Sequence, residues 1–420
     1  MNITVQIKGF TLNNRNITLL FSTRAIRLFC YGFLSVILAL YLSEVGLTEK
    51  QIGLLFSFTL AGDAVITLGL TTSADRFGRK RTLIIGAALM AGAGVAFLLT
   101  QNYYALILAA IIGVISPTGS EIGPFLSVEQ AGLSQLLPNE KRTQSFAWYN
   151  LVGSFATATG ALTGGWLAQT LQARGVPALE AYRAVLTGYA LGGASLAIMF
   201  LGLSPAVEAE SDAARTKTPR VLGLHQSRKI VFGLSALFAL DAFGGGLIIQ
   251  SMLAFWFHVR FGVDAAVLGQ IFFGANILAG ISALLAVRLA KRFGLINTMV
   301  FTHIPSNILL MLVPLMPTLP LAIGLLLIRF SISQMDVPTR QSYTMAVVSA
   351  DERSAAAGVT AIARSVGASL SPALTGLMFS SAAFFNAPFF IAGVLKIIYD
   401  LLLLRSFGKT RPPEEKHLAR

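Results

Sequence analysis

Ala74-Asp75-Arg76-Phe77-Gly78 recurs as Ala290-Lys291-Arg292-Phe293-Gly294, 216 positions further along, and this repetition decides the architecture. The same offset carries Gly46 onto Gly262 and Ile52-Gly53 onto Leu268-Gly269 without a gap. Downstream, Ala161-Leu162-Thr163-Gly164 returns as Ala373-Leu374-Thr375-Gly376, and Asn139-Glu140-Lys141 as Asp351-Glu352-Arg353, now 212 positions apart. A four-residue difference in loop length accounts for the change. The chain therefore reads as one unit used twice.

The solvent of that unit follows from composition. Of 420 residues, 55% are hydrophobic and only 12% charged, about half the charge of an ordinary soluble domain. Apolar runs near the roughly 18 residues needed to cross a hydrocarbon core recur along the chain, as at 82–100 and 184–203. Lipid leaves no partner for a free backbone group, so spans must be helices or a closed barrel, and unbroken runs select helices. Twelve spans are expected, at about 19–43, 52–72, 82–100, 104–131, 144–170, 183–203, 230–257, 266–289, 296–315, 319–346, 354–380 and 388–405. The fold class is an all-α membrane protein of two pseudo-symmetric six-helix bundles, at 1–203 and 230–405. A polar linker at 204–229 carries Glu208, Glu210, Asp212, Arg215, Lys217 and Arg220, and a tail follows at 406–420. The opening residues are polar and the first span exceeds the roughly 7–15 residues of a signal-peptide core, so no cleaved leader is expected.

The net charge of +13 is explained by orientation rather than by nucleic acid. A cytoplasmic N-terminus puts Arg76, Arg79, Lys80, Arg81, Lys141, Lys291, Arg292 and the basic tail inside, and leaves mainly Lys50, Arg174, Arg183 and Arg260 outside. A multi-pass protein of the plasma (inner) membrane with both termini cytoplasmic is the expectation. The single cysteine, Cys30, lies within the first span, so no intrachain disulfide is possible.

The stretch Thr71-Thr72-Ser73-Ala74-Asp75-Arg76-Phe77-Gly78-Arg79-Lys80-Arg81 resembles the loop between helices 2 and 3 of the major facilitator superfamily, Gly-x-Leu-Ala-Asp-Arg-x-Gly-Arg-Arg. Thr71 and Ser73 stand where that family usually has glycine and leucine. The resemblance implies a gating role for Asp75, Arg76, Gly78 and Arg79. Gly160-Ala161-Leu162-Thr163-Gly164-Gly165 in span 5 looks like the Gly-Pro-x-x-Gly-Gly motif of proton-coupled antiporters, with alanine for proline, although such spacing also serves close packing.

Ionisable residues inside spans are costly and by default functional. Span 1 carries Arg24 and Arg27, with Tyr31 one turn beyond. Span 4 carries Glu121 and Glu129, span 7 Asp241, and span 10 Arg329, Asp336 and Arg340. In the superfamily these four helices line a central cavity, so Arg27, Tyr31, Glu121, Asp241, Asp336 and Arg340 are the substrate candidates. Spans 3, 6 and 9 hold no Asp, Glu, Lys or Arg well inside, as suits lipid-facing helices. Arg24 is close enough to a span end to snorkel. Lys396 and Asp400 are one turn apart in span 12 and read as an internal pair. Arg364 lies in span 11. Asp63, near the centre of span 2 with no basic residue one turn away, is the candidate proton carrier. Repeat arithmetic sets Glu129 and Arg340 at one depth on related helices, which suggests a latch between the halves. Gly244-Gly245-Gly246 and Pro338 weaken spans 7 and 10.

Other chemistry is not indicated. There is no phosphate-binding Gly-x-x-x-x-Gly-Lys-Ser/Thr loop, and His225, His258, His303 and His417 lack metal-ligand spacing. The expectation is a secondary active transporter and not an enzyme, without cofactor or metal. It works by alternating access as a monomer and exports a small organic molecule against protons. The alternative is a facilitator or symporter importing a small organic anion, favoured if Arg27 and Arg340 are unpaired.

Overall fold

The computed structural model describes residues 6–7, 10–11, 15–208, 224–349 and 352–408. The linker at 209–223 and the tail beyond 408 lie outside the described residues, as do the side chains of Asp75 and Arg76. A short antiparallel ladder, β1 (Gln6–Ile7) with β2 (Phe10–Thr11), precedes an otherwise helical chain.

Among the described residues the twelve expected spans are helical, and they are of two kinds. Eight are single helices: α3 (Glu49–Phe77), α4 (Arg79–Leu99), α7 (Asn139–Ala173), α8 (Ala178–Leu201), α11 (Ala265–Phe293), α12 (Leu295–Leu312), α15 (Arg353–Phe379) and α16 (Ala387–Phe407). Four are broken in two. Span 1 is α1 (Arg15–Ser35) and α2 (Leu38–Glu44), span 4 is α5 (Tyr103–Ile112) and α6 (Phe125–Leu136), span 7 is α9 (Arg228–Gly246) and α10 (Gln250–Phe261), and span 10 is α13 (Leu319–Phe330) and α14 (Asp336–Ala346). These spans carry Arg24, Arg27, Glu121, Glu129, Asp241, Arg329, Asp336 and Arg340, and they occupy corresponding places in the two repeats.

Local sequence accounts for the breaks of spans 4, 7 and 10. Residues 113–124 contain Pro117 and Pro124, which cannot donate to a helix, and Gly119 and Gly123, whose φ values of 68° and 76° no continuous right-handed helix can use. Span 7 breaks directly after Gly244-Gly245-Gly246. In span 10, Pro338 falls in the first turn of α14, where its missing N–H costs nothing. Both copies of the repeated loop turn on glycine. Gly78 (φ 98°) ends α3 and starts α4, and Gly294 (φ 86°) does the same between α11 and α12.

The chain forms two compact units. The first comprises Met1–Leu47, Gly62–Ala213 and Val263–Phe273, the second Thr48–Ala61, Ala214–Gly262 and Gly274–Arg420. Within the first, α1 packs on α7 with almost no side chain between them. A Cβ on Gly32 would lie 2.0 Å from the Thr157 carbonyl oxygen, and one on Gly160 2.0 Å from that of Phe29. The glycine-rich stretch of span 5 thus serves as a close-contact surface. Helices α4, α8 and α12 expose apolar side chains such as Ile85, Leu99, Leu191, Ile198, Phe301 and Ile308, as lipid-facing helices should.

Candidate functional site

In the first unit, the break of span 4 places Glu121 and α6 places Glu129 so that both reach the arginines of α1. Arg27 meets Glu129 with two parallel bonds, Nη1 to Oε1 at 2.9 Å and Nη2 to Oε2 at 2.6 Å, and both side chains are fully buried. Its Nε donates to Glu121 at 2.7 Å, and Arg24 donates from Nη1 to the other oxygen of Glu121 at 2.7 Å. Thr23 and Tyr149 also donate to Glu129, and the Arg24 guanidinium lies over the Tyr149 ring at 4.1 Å. Such fork-to-carboxylate geometry is the arrangement that offsets the cost of burying charge. Arg24 was a candidate for snorkelling; the structure instead buries it and binds it to Glu121, Asn150 and the Tyr149 carbonyl. Tyr31 is buried one turn on and donates to the Ile122 carbonyl at 3.4 Å.

In the second unit one carboxylate serves several cations. Asp241 on α9 accepts from Lys396 Nζ at 2.6 Å on one oxygen, and from Arg340 and Arg364, each at 3.1 Å, on the other. Arg340 also holds Asp336, one turn earlier on α14, at 2.7 Å. The Arg364 side chain is 34% exposed, against 4% for Asp241. The local pair read from span 12 is replaced: Lys396 turns to Asp241, and Asp400 accepts from the His303 ring instead, 3.0 Å from Nδ1. Coulomb attraction from another helix outweighs one-turn proximity when both groups are buried.

Glu129 and Arg340 each find these partners inside their own unit. Asp63 differs from all of them. At the midpoint of α3 it accepts from the Gly123 backbone N–H at 2.6 Å and from Thr67 at 3.2 Å, and forms no ion pair among the described residues. Its Gly123 contact ties it to the break of span 4, two residues from Glu121.

The repeated loop is fastened by groups that motif reading did not include. Glu208, at the start of the linker, accepts from the backbone N–H of Arg79 at 2.6 Å and of Lys80 at 3.2 Å, which caps α4. Arg79 donates to Gln135 at the end of α6, and Lys80 to the Leu201 and Leu203 carbonyls at the end of α8. Basic side chains on free helix-end carbonyls are a favourable use of both. Tyr149 and His303 were also missed. Tyr149 carries no sequence signal, whereas His303 is an ionisable residue in a span without Asp, Glu, Lys or Arg.

A family model described as Major Facilitator Superfamily matches residues 20–372. The chain is 29% identical to the uncharacterized membrane protein YJR124C of Saccharomyces cerevisiae, over 95% of each chain. Over 33% of its length and 34% of the relative's, it is 24% identical to the quinolone resistance protein NorA of Staphylococcus aureus. Among solved structures it is similar to the nucleoside transporter NupG (TM-score 0.72, 15% identity, 93% and 98% of the two chains). It is likewise similar to a D-xylose-proton symporter (TM-score 0.71, 14% identity, 95% and 98%).

Proposed function

Because this chain belongs to the major facilitator superfamily, we propose that it is a secondary transporter which exports a small organic solute by alternating access, coupled to protons. Family and fold point to a transporter rather than an enzyme. The observation that carries proton coupling is Asp63, a mid-span carboxylate whose partners are a backbone N–H and a hydroxyl rather than a cation. An acid so placed is free to exchange its proton, because no fixed positive charge holds it ionised. Proton binding weakens Asp63 as an acceptor for Gly123, loosens the break of span 4, and reaches Glu121 and the arginines it holds. The likeness of one segment to a quinolone resistance protein supports export, and a proton symporter shares the fold.

In this reading Arg27, Tyr31, Glu121, Asp241, Asp336 and Arg340 border the solute path, and the loop of Asp75, Arg76, Gly78 and Arg79 acts in gating. The protein is a monomer in the plasma membrane with cytoplasmic termini. The test is purified protein in liposomes with imposed pH gradients, screened over small organic solutes. Gradient-driven transport should fall at least tenfold in Asp63→Asn while counterflow without a gradient persists. Equal gradient-driven transport by variant and wild type would end the assignment.

A second reading, movement of an organic anion, was tied to unpaired Arg27 and Arg340, and both are paired. It is now favoured by Arg329 at the end of α13. Its Nε has no hydrogen-bond partner, the guanidinium lies over the Phe330 ring at 4.9 Å, and the charge of Asp336 acts on it. A guanidinium in that setting suits a carboxylate or phosphate. Loss of anion uptake alone in Arg329→Gln would select this reading.

A further inference from the structure

His303 sits between two buried carboxylates at unequal distances. On one side Nδ1 lies 3.0 and 3.1 Å from the two oxygens of Asp400 on α16, within hydrogen-bond range. On the other side Nε2 lies 3.9 Å from Asp241 Oδ1, beyond it. That asymmetry fits a neutral ring that donates from Nδ1 to Asp400 and presents the bare lone pair of Nε2 towards Asp241. The tautomer is inferred from the bonding pattern. Burial of His303 (4% exposed), Asp241 (3%) and Asp400 (0%) keeps bulk water from screening the arrangement.

The ring meets Asp241 and Asp400, and through them it is joined to charged groups of several helices. Helix α9 supplies Asp241, α14 supplies Arg340 and Asp336, α15 supplies Arg364, and α16 supplies Lys396 and Asp400. The Tyr399 ring stands edge-on to the imidazole at 6.0 Å, and Asn307 donates to Asp400 at 3.4 Å. Three carboxylates are thus set against Arg340, Arg364 and Lys396, with Arg329 of α13 acting on Asp336 as well, and the imidazole is left over. The arginines keep their protons and Asp241 already accepts from three cations, which leaves the bare Nε2 of His303 as a site for an added proton.

We propose that His303, supported by Asp400, is a second proton site, in the C-terminal half of the transporter. This rests on the proton-coupled reading above but concerns residues distinct from Asp63. One proton adds to the Nε2 lone pair, no other bond breaks, and the ring becomes an imidazolium bonded to Asp400 through Nδ1–H. The new Nε2–H now donates towards Asp241, and the 3.9 Å gap closes. A fourth cation then competes for the two oxygens of Asp241. Arg364, with its side chain 34% exposed, is the partner most easily given up to water or to an anionic solute. Proton uptake is thereby exchanged for a freed guanidinium.

The test needs no substrate. Protein labelled with nitrogen-15 at histidine is titrated in detergent micelles from about pH 8 to pH 5, the window in which histidine changes charge. The His303 resonances are identified by their loss in His303→Gln. The expected result is an Nδ1–H ring with a bare Nε2 at high pH that becomes doubly protonated on acidification. The transition should persist in Asp63→Asn and move in Asp400→Asn. A ring that stays neutral across the range, or one protonated throughout, overturns the proposal even if transport proves proton-driven. If His303 titrates as expected but transport ignores the pH gradient, the proton site stands and the coupled reading fails. Should His303→Gln not fold, Asp241→Glu supplies the assignment, since it shifts only the ring facing it.

Discussion

The two halves solve one problem with opposite signs. In the first, the broken span 1 carries the cations Arg24 and Arg27, and the broken span 4 carries Glu121 and Glu129. In the second, span 7, the repeat of span 1, carries the anion Asp241, and span 10, the repeat of span 4, carries Arg340. The bonding differs as well as the sign. The Arg27–Glu129 pair is bidentate and sealed, whereas Asp241 divides two oxygens among Lys396, Arg340 and Arg364. A sealed pair holds helices together. A shared carboxylate is easily redistributed, since three cations compete for its two oxygens. The Arg27–Glu129 pair therefore reads as structural and the Asp241 cluster as one that changes partners during transport.

The largest effect is expected at Asp241. Asp241→Asn strips three buried or half-buried cations of their common partner. Breaking a buried pair costs about 3–5 kcal/mol, so the melting midpoint in detergent should fall steeply and transport should be lost. Adding Lys396→Met to that variant removes one uncompensated charge and should recover part of the lost stability. No recovery would show that the cations do not share Asp241 as a hub.

Glu129→Gln should destabilise by about 3 kcal/mol, because Arg27 loses a two-bond partner in a fully buried site. The difference lies in what survives. Protein that remains folded should keep the wild-type pH profile of transport, since the sealed pair takes no part in proton exchange. A shifted profile would erase the distinction between the clusters. Arg364→Gln is expected to cost only about 0–1 kcal/mol, because its side chain is one-third exposed and solvent screens its pair. It should nevertheless weaken binding of an anionic solute, read as a raised KM with unchanged melting.

Much of this was legible beforehand. Charges are rare in lipid, so the spans that carry them stood out, and the repeat assigned them to corresponding places. Asp63 could be singled out because its neighbours in its own helix are visible in sequence. The partners could not be read, since Arg27 reaches Glu121 across 94 positions and Lys396 reaches Asp241 across 155. Local spacing gave the wrong answer for Lys396 and Asp400 because a one-turn cue is worth a few tenths of a kcal/mol, far less than a buried contact between helices. The break in span 4 was hidden in the same way, since the apolar run 104–131 averages over Pro117, Gly119 and Pro124.

The smallest expected effect sharpens the comparison at the helix starts, where both halves use one carboxylate to collect free backbone N–H groups. Glu208 caps α4 in the first unit, and Glu352 accepts from His225, Gln226 and Ser227 at the start of α9 in the second. Burial pushes the Glu352 carboxyl up, but hydrogen bonds from Ser227 and His225 outweigh it and hold the group down at about 2. That lies below the ordinary glutamate value of about 4.3. A group depressed in the folded state stabilises it fully above the unfolded value, and the contribution fades as pH falls through the folded one. The cap should therefore be complete from neutral pH down to about 5, and disappear only towards pH 2. Glu352→Gln removes the charge at every pH while keeping an oxygen acceptor. At pH 7 the amides of 225–227 should exchange hydrogen several-fold faster in this variant, while peptides from the first unit are unchanged. The anchoring is local, so the melting midpoint should hardly move. Unchanged exchange at 225–227 would mean that α9 is held by its packing alone, and that the parallel with Glu208 and α4 does not extend to energetics.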